Sequence, residues 1–348
     1  MLSASAGPAL ARAPSFFGIV PQGPLTARDY TRLPAVGGTI RVPFYWFQVE
    51  ATRGEPDFAA TDSLVGAAAE HGLAVLPFIY GTPPWLSADP ARPPLASPAA
   101  RNAWVEFLRR LVDRYGPRGS FWRGRQARMP IRRWQLWNEP NFRLFWHPRP
   151  APLAYARLLR LGARAVRGAD PGARILAAGV APVEAGMLPW SFLRRMYRAP
   201  GVRRDFDVVA VHPYAVSLAS LEYQLAKVRQ VMRRAGDAAT PVQVTEIGTA
   251  SGSSYATLFD MGPQGQAQYL KGAYRLFAEN RRRWHLVGID WFTWRDGSSS
   301  DLHCSFCEFA GLLDGSGRRK PAWWALRSVV NSTALWERAG PFPVASRP

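Results

Sequence analysis

Along this chain, short apolar or β-branched runs alternate with longer stretches in which apolar residues recur at helical spacing. The runs are Phe16 to Val20, Thr39 to Tyr45, Ala74 to Ile79, Arg133 to Trp137, Arg174 to Ala178, Val208 to Val211, Val242 to Thr245 and Gly288 to Thr293. Each stops at polar or aromatic residues, which reads as a strand. Helical spacing fills the gaps over Thr26 to Leu33, Thr61 to His71, Pro98 to Tyr115, Pro152 to Gly168, Pro189 to Arg198, Ser220 to Ala235 and Gln264 to Arg281, and again over Pro321 to Ala334. His71-Gly72, Asp170-Pro171-Gly172 and Thr240-Pro241 punctuate the joints. Eight strand–helix units predict an α/β fold of the (β/α)8 TIM-barrel class, with the active site at the C-terminal ends of the strands. An open doubly wound sheet is the alternative. It needs a glycine-rich phosphate turn after the first strand, and Gly18-Ile19-Val20-Pro21-Gln22-Gly23-Pro24 puts prolines where N–H donors are required. Residues 14–340 read as one barrel, with Thr82 to Pro98 as a long loop. Residues 341–348 read as a tail, and residues 1–13 as an export-signal remnant or unstructured start.

Composition narrows the class. With 47% hydrophobic and 12% aromatic residues the chain is globular rather than disordered. No apolar run reaches the roughly 18 residues a spanning helix needs, so no membrane span is expected. The net charge is +19, and lysine occurs only at 227, 271 and 320, so the excess is arginine. Such a balance could answer to nucleic acid, an anionic surface or an acidic polysaccharide. The arginines, however, are scattered over predicted helices (Arg109, Arg110, Arg194, Arg195, Arg281 to Arg283) with no nucleic-acid motif among them. They read as a solvated face, and nucleic acid is not an expected partner. Cys304 and Cys307 in His-Cys-Ser-Phe-Cys fall short of the four ligands of a structural zinc. No metal or cofactor is expected. A local disulfide and a pair of free thiols both stay open, and a disulfide together with the small apolar start would suit a secreted or cell-surface protein. Nothing in the chain fixes an oligomeric state.

The candidate chemistry lies at strand ends. Trp134-Gln135-Leu136-Trp137-Asn138-Glu139-Pro140 is an apolar run that ends abruptly in a carboxylate at the top of the fourth strand. Aromatic neighbours there would desolvate Glu139 and raise its pKa towards that of a general acid. Val242-Gln243-Val244-Thr245-Glu246 ends the seventh strand the same way. In a barrel these two strands lie across the mouth from each other, so Glu139 and Glu246 can face one another over a sugar. A gap of roughly 5 to 5.5 Å would suit double displacement and one of roughly 6.5 to 9.5 Å single displacement. Arg41, Tyr80, Trp85, His212, Tyr214, Trp291 and Trp294 fall at the same end of other strands. Each also has a plainer reading: a buried ion-pair partner for Arg41, a core histidine for His212, and packing for the tryptophans.

On Trp-Asn-Glu-Pro at 137–140, Thr245-Glu246, Arg41 and His-Pro-Tyr at 212–214, the chain resembles the clan A glycoside hydrolases, most of all glycoside hydrolase family 39 and its bacterial relatives. The likeness spans nearly the whole barrel. It implies a retaining glycosidase in which Glu139 is acid/base, Glu246 is nucleophile and Asn138 binds the 2-hydroxyl beside the reacting carbon. It further implies that Arg41 and Tyr214 hold Glu246 ionised and oriented, that His212 lines the pocket, and that Trp294 and Trp291 form the platform of the last strand. Trp85, Trp294 and Tyr80 are expected as walls on which a sugar ring stacks. The chain departs from the family pattern in showing no evident accessory β-sandwich and in the Gly297 to Cys307 insertion. Three other functions compete: a carbohydrate-binding barrel without turnover, a transglycosidase using the same pair, and a polyanion-binding barrel. The first would normally have lost a carboxylate, and the last needs a one-sided arginine cluster over the strand tops.

Overall fold

The computed structural model of the chain describes residues 16–183, 185–254, 256–297, 304, 306–332 and 336. Within them eight parallel strands close a barrel in sequence order: β1 Phe17–Val20, β2 Thr39–Tyr45, β3 Ala74–Tyr80, β4 Arg133–Leu136, β5 Arg174–Val180, β6 Val208–Val211, β7 Val242–Ile247 and β8 Leu286–Phe292. The seam is β1 on β8, in a register that runs from Phe17↔Ile289 to Val20↔Phe292. Helices α1 Ala27–Arg32, α2 Ala59–Glu70, α3 Pro98–Tyr115, α4 Pro152–Ala169, α5 Pro189–Met196, α6 Leu218–Arg234, α7 Gly262–Trp284 and α8 Pro321–Val330 follow the strands in turn. The expected (β/α)8 barrel is therefore the observed fold.

The sequence boundaries shift in ways that have physical causes. Thr26 is the N-cap of α1 rather than its first residue, and it forms a capping box with Asp29. Helix α6 starts at Leu218 because the Ser217 hydroxyl accepts the Ser220 N–H. A single helical turn, Trp46–Val49, follows β2. Four residues are too few for periodicity to reveal. Residues 1–13 and 341–348 lie outside the described residues, as do 14, 15, 333–335 and 337–340.

Side chains alternate along each strand, so one set packs outward under the helices and the other fills the barrel. The outward set builds the main core, which includes Trp104, Trp134, Trp284 and Trp323, all almost wholly buried. Inside, Leu76, Leu176, Val208 and Ala210 make a small apolar cluster. The same interior also holds Arg41, Gln135, Gln243 and Asp290, none more than 2% exposed. Burial pushes the Asp290 carboxyl up to about 7 against the pull of Arg133 and Arg41. It accepts one hydrogen bond from Gln243 Nε2 at 3.0 Å. The room for Asp290 comes from Gly18 on β1, where a Cβ would stand 1.9 Å from Asp290 Oδ1. Gly18→Ala should therefore destabilise the barrel by about 1–3 kcal/mol, read by urea denaturation. An unchanged unfolding midpoint would show that Asp290 moves aside freely.

Candidate active site

Arg41 organises the mouth of the barrel. It points inward from β2 with no exposed surface, and its guanidinium lies over the Phe78 ring, 4.3 Å from the centroid. The fork reaches four partners: Nε donates to Gln135 Oε1 at 3.0 Å, Nη1 to Glu246 Oε1 at 2.6 Å and Nη2 to Asn138 Oδ1 at 2.8 Å, with His212 Nε2 3.5 Å from Nη2. A lysine could not make this set, because its ammonium is a point charge rather than a planar fork. One guanidinium thus fixes residues of β4, β7 and the turn after β4.

Glu246 stands on β7 and takes a second hydrogen bond on Oε2 from the Tyr214 hydroxyl, at 2.7 Å. Glu139 reaches the mouth by a different route. Beyond Leu136 the chain turns through positive φ at Trp137 (74°) and Glu139 (40°), conformations that cost non-glycine residues free energy and persist only when the surroundings fix them. Trp137 is driven outward against Tyr80, Trp104 and Trp146, with its indole N–H on the Phe145 carbonyl at 2.7 Å. Asn138 and Glu139 are left at the mouth. Asn141 clamps the loop behind them by donating to the Ala181 and Met187 carbonyls at 2.7 and 2.6 Å.

His212 joins the two carboxylates. Its Nδ1 lies 2.7 Å from Glu139 Oε1 and 3.6 Å from Glu246 Oε2. One oxygen from each glutamate and a ring nitrogen of His212 all lie within 4.8 Å of one another. Among the described residues this trio also has metal-ligand spacing. Arg41 already supplies a positive charge to Glu246 there, and Tyr214 occupies its other oxygen, so the trio is poorly suited to a cation.

The two glutamates are pushed in opposite directions. Burial raises the pKa of Glu139; the His212 hydrogen bond offsets part of that, and the negative charge of Glu246 adds to it. Burial would also raise Glu246, but His212, Arg41 and the Tyr214 hydroxyl together outweigh it and hold Glu246 below the usual glutamate value. Tyr214, its pKa pushed well up by burial and by the Glu246 charge, stays a donor.

Of the residues expected from sequence, Arg41, Asn138, Glu139, His212, Tyr214 and Glu246 come together in one hydrogen-bonded cluster. Tyr80 is buried in the main core, with its ring against Trp137 and Phe145. Trp85 is half-buried farther out, packs edge-on to Trp46, and donates its indole N–H to the Glu50 carbonyl at 2.8 Å. Trp291 and Trp294 require a correction. They are 0% and 1% exposed within the main core, so neither offers a ring face to a sugar. The reason for Trp291 is strand parity: Asp290 and Phe292 share the inward phase of β8, which turns Trp291 out under the helices.

Sequence reasoning missed Gln135, Phe292 and Phe306. Gln135 was legible as the one polar residue between Trp134 and Leu136, and Phe292 as the aromatic in phase with Asp290. Phe306 sits between Cys304 and Cys307, which form a disulfide. Their thiols are thereby removed as ligands, and His303 lies outside the described residues.

No protein-family model and no curated protein matches the sequence. Solved structures do. A family 39 glycoside hydrolase from the gut symbiont Bacteroides cellulosilyticus WH2 superposes with a TM-score of 0.69 at 21% identity, over 92% of this chain and 64% of that one. A monomeric β-xylosidase from Caulobacter crescentus CB15 gives 0.65 at 20% identity, over 92% and 70%. An exo-β-1,4-mannosidase from Opitutaceae bacterium strain TAV5 gives 0.63 at 19%, over 93% and 60%. The chain shares its fold with family 39 glycoside hydrolases. It spans less than two thirds of the Bacteroides protein.

The placement of Trp291 gives a direct check. Trp291→Ala should cost about 3–5 kcal/mol of stability, measured by chemical denaturation. The surviving folded fraction should keep an unchanged KM. A raised KM at unaltered stability would return Trp291 to the binding surface.

Proposed function

We propose that this chain is a glycoside hydrolase that works with retention, with Glu246 as nucleophile and Glu139 as acid/base. The observation that carries this reading is the pair itself: two buried carboxylates, one oxygen of each within 4.8 Å of the other across the barrel mouth, with the pKa of Glu246 lowered and that of Glu139 raised. That separation accords with double displacement and leaves no room for the water that single displacement places between sugar and base.

The residues divide the work. Arg41 and Tyr214 orient Glu246 so that a carboxylate oxygen attacks the anomeric carbon, while the proton of Glu139 passes to the leaving oxygen. With Arg41 Nη2 facing His212 Nε2 at 3.5 Å, the neutral ring carries its proton on Nδ1 and donates to Glu139 Oε1, which leaves Oε2 for the acid proton. In the second half-reaction Glu139, now ionised, takes a proton from water and the glycosyl–Glu246 ester is hydrolysed. Asn138, fixed by Arg41, offers its amide N–H to the sugar 2-hydroxyl. Phe292, inward at the end of β8 in phase with Asp290, closes the site beside Tyr214 where sequence placed the tryptophans.

The fold neighbours include a β-xylosidase and an exo-β-1,4-mannosidase, so β-xylosides and β-mannosides come first among the substrates to test. The Cys304–Cys307 disulfide supports an exported protein.

A screen of aryl glycosides and polysaccharides tests the reading, with product configuration followed by NMR. Retained configuration is expected; inverted product would overturn the mechanism, and turnover of none of them would overturn the function. Glu246→Ala should abolish turnover on every substrate. Glu139→Ala should lose about 10²–10⁴-fold on poor leaving groups and far less on activated ones, with azide restoring rate. Equal losses on both classes would remove Glu139 from the acid role.

The pH profile of kcat/KM follows from the same two shifts. Activity needs Glu246 ionised and Glu139 protonated, so the acid limb should fall below the ordinary glutamate pKa and the base limb above it. Glu139→Ala should erase the base limb alone. A base limb that persists in this variant would assign that ionisation elsewhere.

A further inference from the structure

A second apolar cluster sits at the barrel mouth, separate from the main core. Val20, Phe292, Cys307 and Ala310 are buried in it, and Tyr214, Cys304 and Phe306 pack against them. Phe306 is its centre. Its ring lies 5.3 Å from the Tyr214 ring, stacks on Phe259 at 4.6 Å with 19° between planes, and approaches Phe292 at 6.4 Å. Phe292 also meets Tyr214 edge-on at 6.0 Å. Tyr214 in turn donates to Glu246 Oε2. Among the described residues, the wall therefore backs the one side chain besides Arg41 that donates a hydrogen bond to Glu246.

The segment bearing Phe306 is held at several points. The disulfide closes Cys304 onto Cys307 around it. The Thr293 N–H binds the Ala310 carbonyl at 3.2 Å, and the Ser251 N–H binds the Phe309 carbonyl at 3.0 Å, tying the segment to the chain beyond β8 and β7. Lys320 Nζ adds a bond to the Phe309 carbonyl at 2.9 Å. A free phenol on a loop would sample several rotamers, whereas a ring boxed in on its other edges keeps one.

From this arrangement we infer that Phe306 is a positioning residue for Glu246: fixed by the Cys304–Cys307 disulfide, it holds the Tyr214 hydroxyl on the carboxylate. The inference rests on the proposed role of Glu246. It also gives the cysteine motif a task other than metal binding. The groups facing Glu246 are Arg41 from β2, Glu139 from the turn after β4, His212 and Tyr214 from the end of β6, and Asp290 from β8. Of these, Tyr214 has its ring against Phe306, while Arg41 is held by Gln135 and Asn138, so loosening Phe306 weakens one donor and leaves the charged partners in place.

The test is a carboxyl titration by NMR on protein labelled at glutamate Cδ, with the Glu246 signal assigned by its loss in Glu246→Gln. Phe306→Ala should move the Glu246 midpoint upward, because a hydrogen bond to the charged form is weakened. Phe306→Tyr, which keeps the ring, should leave it where it is. Reducing the wild-type disulfide with a phosphine should reproduce the Phe306→Ala shift and add nothing to that variant, as two changes acting through one path do. An unmoved Glu246 midpoint in folded Phe306→Ala, or a reduction effect that adds in full, would overturn the inference. This readout needs no substrate, so it is independent of the proposed activity. Where turnover is measured, Phe306→Ala should lower kcat by about 10- to 100-fold with the acid limb shifted to higher pH. A change in KM alone would make Phe306 a binding wall rather than a positioning residue.

Discussion

The buried guanidinium of Arg41 is the constraint on which the site depends. A charge with no exposed surface is tolerable only when a counter-charge and hydrogen bonds replace its water, and Arg41 finds these in Glu246, Gln135 and Asn138. The requirement runs in both directions. Arg41 keeps Glu246 ionised in a place where burial favours its neutral form, and Glu246 keeps Arg41 from being an uncompensated charge. Burial above all raises the pKa of Glu139, and the Glu246 charge a few ångströms away adds to it, so Glu139 carries its proton more readily. Burial, His212 and this ion pair together push two chemically identical side chains in opposite directions.

Neither shift would survive loose geometry. Glu139 is carried on a turn with two non-glycine residues at positive φ, which the Trp137 packing and the Asn141 clamp hold in place. Glu246 is braced by Arg41 on one oxygen and Tyr214 on the other. The barrel supplies the frame: strands from distant parts of the sequence end side by side, and the outward tryptophans lock them to the helices. The cost of these strained and desolvated groups is borne by a core that is otherwise densely apolar.

Much of this was legible in the sequence. Strand–helix alternation gave the barrel, because the period of the apolar pattern is a local property. Glu139 and Glu246 stood out because each ends an apolar run in a lone carboxylate, and a barrel sets strands four and seven opposite one another. Trp291 misled because its aromatic identity was read without phase, and Trp294 because it lies beyond the end of β8, buried in the main core. Asp290 holds the needed phase, since a carboxylate in β8 belongs to the polar interior, and Phe292 follows two residues later. Gln135 looked like filler within a strand until its amide oxygen met Arg41. Phe306 carried no local signal at all, because its neighbours Tyr214 and Phe259 are brought to it only by closure of the barrel and the disulfide. The separation of the carboxylates was likewise beyond sequence, since it depends on strand tilt and on the turn at 137–139.

The measurement that bears most directly on this account is covalent trapping. An activated 2-deoxy-2-fluoro glycoside slows both half-reactions, and its good leaving group lets the first proceed, so the glycosyl–enzyme ester accumulates. Mass spectrometry of the proteolysed protein should then find a single added sugar on the peptide that contains Glu246, and none in Glu246→Gln. A label on another residue, or steady turnover to inverted product with no adduct, would contradict the assignment of Glu246 as the nucleophile that Arg41 holds ionised.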